Sequence, residues 1–163
     1  MGFSSVVHSA GNRLNLGGFK PLKIERVAVD SYRMIGREFS GSYRSDTIRQ
    51  YFDEMRQLLE AHNSNDPIII IYDQEPEGMR GNIKNFVGVF VTSEIKHSKT
   101  GLQERVVIAD SAVRVSKACH PSLMPNPEKI NSYIDAELGD AGESPSIELY
   151  YPDNRLVVER PFD

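Results

Sequence analysis

The sequence predicts an α+β domain made of two units with the same order: strand, helix, strand, strand. Three observations carry this. The stretch Pro67-Ile68-Ile69-Ile70-Ile71-Tyr72-Asp73 returns as Pro145-Ser146-Ile147-Glu148-Leu149-Tyr150-Tyr151, 78 positions later (145 − 67). Asp30-Ser31 returns as Asp110-Ser111 at nearly the same separation, 80 positions (110 − 30). An amphipathic helical stretch stands between each Asp-Ser pair and the Pro-led strand that follows it. Internal repeats fix an architecture, and these predict a tandem, pseudo-two-fold domain. Within it Ile70 is matched by Glu148, so a carboxylate stands where the first copy has an isoleucine.

Residues 1–20 hold Gly2, Gly11, Gly17 and Gly18 among Ser and Asn without a sustained period, which reads as an N-terminal arm. The single domain runs from 21 to 163, with pseudo-repeats at about 21–93 and 104–163. Its first strand alternates from Ile24 to Val29 and resumes from Tyr32 to Phe39, with Asp30-Ser31 as a bulge or a bend. Gly41 and Ser42 end it, and Ser45 or Asp46 caps a helix whose apolar stripe is Ile48, Phe52, Met55 and Leu59, widened by Tyr51 and Leu58. The Pro-led strand comes next, since Pro is tolerated at a strand start and β-branched residues suit a pleated surface. Asn85 to Val91 closes the first unit. After a polar turn from Ile95 to Gln103, the second unit repeats the order: Arg105 to Ala109 and Ala112 to Cys119, then a helix capped by Asn126 with Pro127 at its first position, stopped by Gly139 and Gly142. The strand Ser146 to Tyr151, the turn Pro152-Asp153-Asn154 and the strand Arg155 to Arg160 complete it.

A chain of 163 residues with 39% hydrophobic and 26% charged residues is long enough to bury a core. Its net charge of −4 gives no basic footprint for nucleic acid. One cysteine, Cys119, leaves no intrachain disulfide and fits a reducing cytoplasm. No apolar run approaches the ~18 residues of a membrane span, and no signal-peptide pattern opens the chain. The Met-Gly start lacks the Ser or Thr at position six that myristoylation needs, since Val6 stands there. His8, His62, His97 and His120 show no ligand spacing, so no metal site is expected. Gly81, Gly88 and Gly101 form no phosphate-binding pattern, and no serine elbow occurs, so no cofactor is expected either. Cys119-His120 is read as structural, because neighbours on a strand point to opposite faces.

Four places, in this order, resemble the gyrase-inhibitory-protein-like (GyrI-like) domain of the SOUL/bacterial effector-binding superfamily, the effector-binding half of AraC-type and MerR-type regulators. They are the long strand ending near Phe39 and Gly41, Ile71-Tyr72-Asp73 with Pro76, Val87-Gly88-Val89-Phe90-Val91, and Ile147-Glu148-Leu149-Tyr150. The resemblance covers residues 21 to 163. It implies one curved antiparallel sheet with two helices on one face and a ligand cleft between the modules. It also implies that the acid on the next-to-last strand, Glu148, meets cationic aromatic ligands, with Tyr72, Tyr150 and Phe90 stacking on them. Some members of that family are hydrolases that open cyclopropane-bearing genotoxins with the acid and a nearby Tyr; others only bind, and one eukaryotic branch is membrane-anchored. This chain departs from the pattern in having no Trp, no helix-turn-helix before residue 21 and no transmembrane anchor.

Period-2 alternation puts Glu148 on one sheet face with Ser146 and Tyr150, and Ile147 and Leu149 on the other. A carboxylate under a helix is costly unless it is paired or protonated, and an incoming cation would supply the partner. The plainer reading makes Glu148 a surface acid paired with Arg155 or Arg160. Glu159 is a candidate second cleft acid, and Tyr32 and Tyr51 are candidate wall residues, alongside Tyr43 and Tyr133. The functions these residues admit are a stand-alone small-molecule-binding protein anchored by Glu148, a hydrolase with Glu148 as general base on water, and a protein-interaction module of the gyrase-inhibitor or regulator-partner kind.

Overall fold

The computed structural model describes residues 22–42, 45–74, 82–117 and 145–162, with short strands at 6–8 and 13–14 and the single residue Ala136. In chain order these form β1 (Val6–His8), β2 (Arg13–Leu14), β3 (Leu22–Ala28), β4 (Tyr32–Ser42), α1 (Thr47–Ala61), β5 (Ile68–Gln74) and β6 (Asn82–Phe90). The four-residue helix α2 (His97–Thr100), β7 (Gln103–Val107), β8 (Ser111–Lys117), β9 (Ser146–Tyr150) and β10 (Leu156–Phe162) follow. The helix expected from Asn126 to Leu138 lies outside the described residues, apart from Ala136, which is helical. Tyr43, Cys119, His120 and Tyr133 lie outside them too. The polar turn expected between the units contains α2, and β4 continues through Gly41 to Ser42 rather than stopping at Phe39. At the start of α1, Ser45 Oγ accepts the Thr47 N–H at 3.2 Å, while Asp46 makes no side-chain cap.

All strands join one antiparallel sheet in the order β1-β3-β8-β10-β9-β5-β6-β4-β7, with β2 also on β3. Outward from the central β9–β5 contact, one side runs β9, β10, β8, β3 and the other β5, β6, β4, β7, so strands with the same place in the sequence repeat sit at the same distance from the centre. At that centre Ile70 pairs with Glu148, the two residues that the repeat matches to each other.

Both Asp-Ser sites are bends. They divide β3 from β4 and β7 from β8, and they meet: Val29 N–H donates to the Asp110 carbonyl at 2.9 Å and Ala109 N–H to Ser31 Oγ at 3.3 Å. The bends therefore bring the two ends of the sheet together, and its two faces become different places. On the inner face Val27, Tyr32, Met34, Ile69, Ile71, Phe86, Ala112, Ile147, Leu149 and Val157 pack into one apolar cluster without a contribution from α1. On the other, Met55 and Leu59 of α1 pack on Ile35, Ile68, Ile70, Val87 and Val89. Burial of a Leu, Ile, Val, Phe or Met side chain is worth about 1.5–3 kcal/mol, and Met55 and Leu59 hold α1 on the sheet in this way.

The halves also differ inside. Ile69 pairs with Gly88, which pairs with Gly36, and a Cβ on Gly36 would lie 2.0 Å from the Val87 carbonyl oxygen. In the other half Ile147, the match of Ile69, pairs with Glu159, which pairs with Arg114. Two bare glycines thus stand where the second half carries two opposite charges.

Candidate functional site

Every residue from Ser146 to Leu149 is buried, because β9 lies at the centre of a sheet packed on both faces. Glu148 is only 6% exposed, between Ile70 of β5 and Val158 of β10 on the face that α1 covers. Burial contradicts the surface position that the plainer expectation gave this acid, and of the two arginines named for it Arg155 pairs with Asp153 at 2.9 Å and lies over the Tyr151 ring at 4.4 Å. The Tyr150 hydroxyl, two residues along the same face, donates to Glu148 Oε2. Its ring meets Phe52 of α1 edge-on, with centroids 5.4 Å apart and planes at 88°.

Phe52 and Tyr150 form a wall between two grooves. One, of about 380 Å³, lies between α1 and the sheet and is lined by Ile48, Arg49, Ile70 and Tyr72 as well as the wall itself. The other, of about 920 Å³, runs from the same wall past Leu59 to Asn63, Tyr151 and Arg155. Glu148 itself lines neither groove, but its strand neighbour Ile70 and its hydrogen-bond partner Tyr150 both line the first.

Glu159 has a different setting. It is 2% exposed on the inner face, where its Oε1 accepts the Tyr32 hydroxyl at 2.6 Å and its Oε2 accepts Arg114 Nε–H at 2.6 Å. Phe90 stacks on Tyr32 with centroids 6.5 Å apart and planes at 18°. Burial, and then the Glu159 charge, hold the Tyr32 hydroxyl far above the usual tyrosine range, and the same two causes raise Tyr151. Beside Arg114 in register lies Glu25, buried and ion-paired with Lys23.

The sheet therefore divides the predicted site residues. Glu148, Tyr150 and Tyr72 come together on the helix face, whereas Glu159, Tyr32 and Phe90 gather on the inner face and do not join them. The reason is the pleat: Glu159 pairs with Ile147, one residue away from Glu148, so its side chain points the other way. Tyr51 packs among the helix-face residues with the Arg37 guanidinium 5.9 Å from its ring centre, and Arg37 is held by Glu54 at 2.7 and 2.9 Å. Sequence reasoning missed Phe52 as a wall residue, because it shares the apolar stripe of Met55 and Leu59 and nothing in that stripe marks it out. Among the described residues no three His, Cys, Asp or Glu side chains come together as a metal site, and no helix is long and apolar enough to cross a membrane.

The sequence matches no protein-family model and no curated protein. Solved structures do match it. SAV2435 bound to tetraphenylphosphonium matches with TM-score 0.56 and 12% identity over 86% of this chain and 94% of that one. The EcmrR C-terminal domain matches with TM-score 0.53 and 12% identity over 87% and 96%. In an EcmrR–DNA complex the chain spans 57% of the longer EcmrR chain, with TM-score 0.54 and 11% identity over 86% of this chain. A hydrolase from Listeria innocua matches with TM-score 0.53 and 10% identity over 86% and 92%. At such identities the likeness is one of fold, and this chain has the fold of SAV2435 and of the EcmrR C-terminal domain.

Proposed function

We propose that this protein binds a cationic aromatic small molecule on the helix face of its sheet, with Glu148 as the acidic anchor and Phe52, Tyr72 and Tyr150 as the aromatic walls. The observation that carries the reading is a buried carboxylate at the centre of the sheet whose strand neighbour Ile70 and hydrogen-bond partner Tyr150 both line an aromatic-walled groove. A desolvated carboxylate attracts a cation far more strongly than an exposed one, and each aromatic face adds about 0.5–2 kcal/mol of cation–π attraction. Entry of the cation displaces the Tyr150 hydroxyl from Glu148 and rotates that ring against Phe52. The ligand of SAV2435, tetraphenylphosphonium, is a lipophilic aromatic cation of this chemistry. The same reading takes the sheet as two strand-helix-strand-strand modules with the ligand cleft between them, which the mirrored strand order supports.

A second reading follows from the Tyr150–Glu148 hydrogen bond and the fold shared with a hydrolase. In it Glu148 takes a proton from water while Tyr150 or Tyr72 polarises the electrophile of a strained-ring substrate. One experiment separates the two. A thermal-shift screen of aromatic cations and electrophilic natural products, with mass spectrometry on each hit, is run on the parent and on Glu148→Gln. A ligand at about 100 times its dissociation constant adds about 2.7 kcal/mol of stability. Binding alone returns intact compounds that stabilise only the parent; hydrolysis returns consumed ones; shifts that are equal in both proteins refute Glu148 as the anchor.

A further inference from the structure

The mirrored halves of the sheet end differently. The outer edge of β3 is covered by β1 and β2, which pair with it antiparallel. The matching edge belongs to β7, and among the described residues no strand pairs with its outer side. An open edge presents a row of unpaired backbone groups, which proteins usually guard with charge, proline or a bulge. Here the strand Gln103-Glu104-Arg105-Val106-Val107 has no proline, and both of its charges turn to the chain's own residues. Arg105 makes a bidentate contact with Asp73, and Glu104 lies 3.6 Å from Arg33. The apolar residues beside the edge are the exposed ones: Val106 is 50% and Ile108 82% exposed, and they are the only large hydrophobic side chains in that state among the described residues. Two positions apart on an extended chain, they share one face.

We propose that β7 is a self-association edge, on which β7 of a second copy of this chain pairs antiparallel to extend the sheet. The sequence narrows the register. Across a two-fold axis, facing residues must share a face, so the axis passes through a residue of the strand. Centred on Arg105 it would set two guanidiniums opposite each other, which is unfavourable. Centred on Val106 it opposes Val106 to Val106, Arg105 to Val107 and Glu104 to Ile108, with Ile108 diagonal to the other Val106. No like charges then face each other, and the two exposed apolar side chains of each copy are covered. The β1 strand on β3 shows that this sheet accepts an added antiparallel strand at the matching place. A five-residue contact is small beside the ~1,200–2,000 Å² of stable complexes, so the dimer is a weak, concentration-dependent one.

Sedimentation equilibrium on the full chain tests this, together with Val106→Lys, which puts like charges across the axis, and disulfide trapping of Val106→Cys in a Cys119→Ser background. The expected results are a monomer–dimer equilibrium, weakened at least about tenfold by Val106→Lys, and a covalent dimer on oxidation of the Val106→Cys protein. A parent that stays monomeric across the concentration range, or a dimer indifferent to Val106→Lys and untrapped by Val106→Cys, overturns the proposal. Circular dichroism of each variant excludes misfolding, and an extended peptide as the true occupant of the edge would leave the parent monomeric.

Discussion

Glu148 and Glu159 lie on neighbouring strands, both buried, yet they face opposite sides of one sheet. Both oxygens of Glu159 are engaged by side chains of other strands, Tyr32 and Arg114, at 2.6 Å each. That arrangement locks β4, β8 and β10 together, and it has the character of structure. Glu148 lies under α1, held by a tyrosine of its own strand whose ring also walls a groove. A side chain on the same strand can turn away without parting two strands, so the Tyr150 contact can be given up while the sheet stays paired. Burial of an acid therefore does not by itself mark a binding site; whether a groove adjoins the group it is bonded to matters as well.

The largest effect expected from breaking this comparison lies on the inner face. Arg114→Met removes the guanidinium from Glu159 and leaves a carboxylate 2% exposed with its charge unmatched. Breaking one side of a buried pair costs about 3–5 kcal/mol, and with Arg114 still 27% exposed the lower end is expected, read by urea unfolding. Tetraphenylphosphonium affinity, measured below the unfolding transition, should stay as in the parent.

Tyr32→Phe is expected to cost less, about 1–3 kcal/mol, the penalty of one buried acceptor losing its donor. It carries a pH signature as well. The hydroxyl's folded pKa lies above its unfolded value of about 10, so the folded state holds the proton where the unfolded chain releases it. The stabilisation from this group is complete below pH ~10 and is lost as pH rises beyond it. Unfolding midpoints followed from pH 8 to 11 should fall more steeply for the parent than for Tyr32→Phe; parallel curves would remove Tyr32 from the inner network.

On the helix face the effects move from stability to binding. Phe52→Ala opens the wall between the two grooves and removes the edge-on contact to Tyr150. Tetraphenylphosphonium binding should weaken by about tenfold, the loss of one aromatic contact worth ~1–2 kcal/mol. Smallest is Tyr51→Phe, which keeps the ring packed beneath Arg37 and should change both stability and affinity by less than about 0.5 kcal/mol.

Much of the fold was legible in the chain. The Pro-led repeat located β5 and β9, and the Asp-Ser repeat located both interruptions, because these residues break alternation in the same way twice, but each long first strand is divided there into two, β3 and β4, β7 and β8. Alternation alone also placed Glu148 with Tyr150. The separation of Glu159 from Glu148 was readable but unread: the three-residue turn Pro152-Asp153-Asn154 sets Arg155 against Tyr151, and counting back from there sets Glu159 opposite Ile147. Phe90 is different, since its place depends on the pairing of β6 with β4, which are joined through α1 and β5, and no turn length fixes it. Phe52 as a wall was not readable at all, because an apolar helix stripe does not tell which of its members overhangs a groove.

The most direct test of the account is calorimetric titration of tetraphenylphosphonium into the parent, Glu148→Gln and Glu159→Gln. The account predicts that Glu148→Gln loses at least tenfold in affinity, about 1.4 kcal/mol or more, with its stability little changed, while Glu159→Gln binds as the parent does and is less stable. Parent-like binding by Glu148→Gln, or a loss confined to Glu159→Gln, would contradict it.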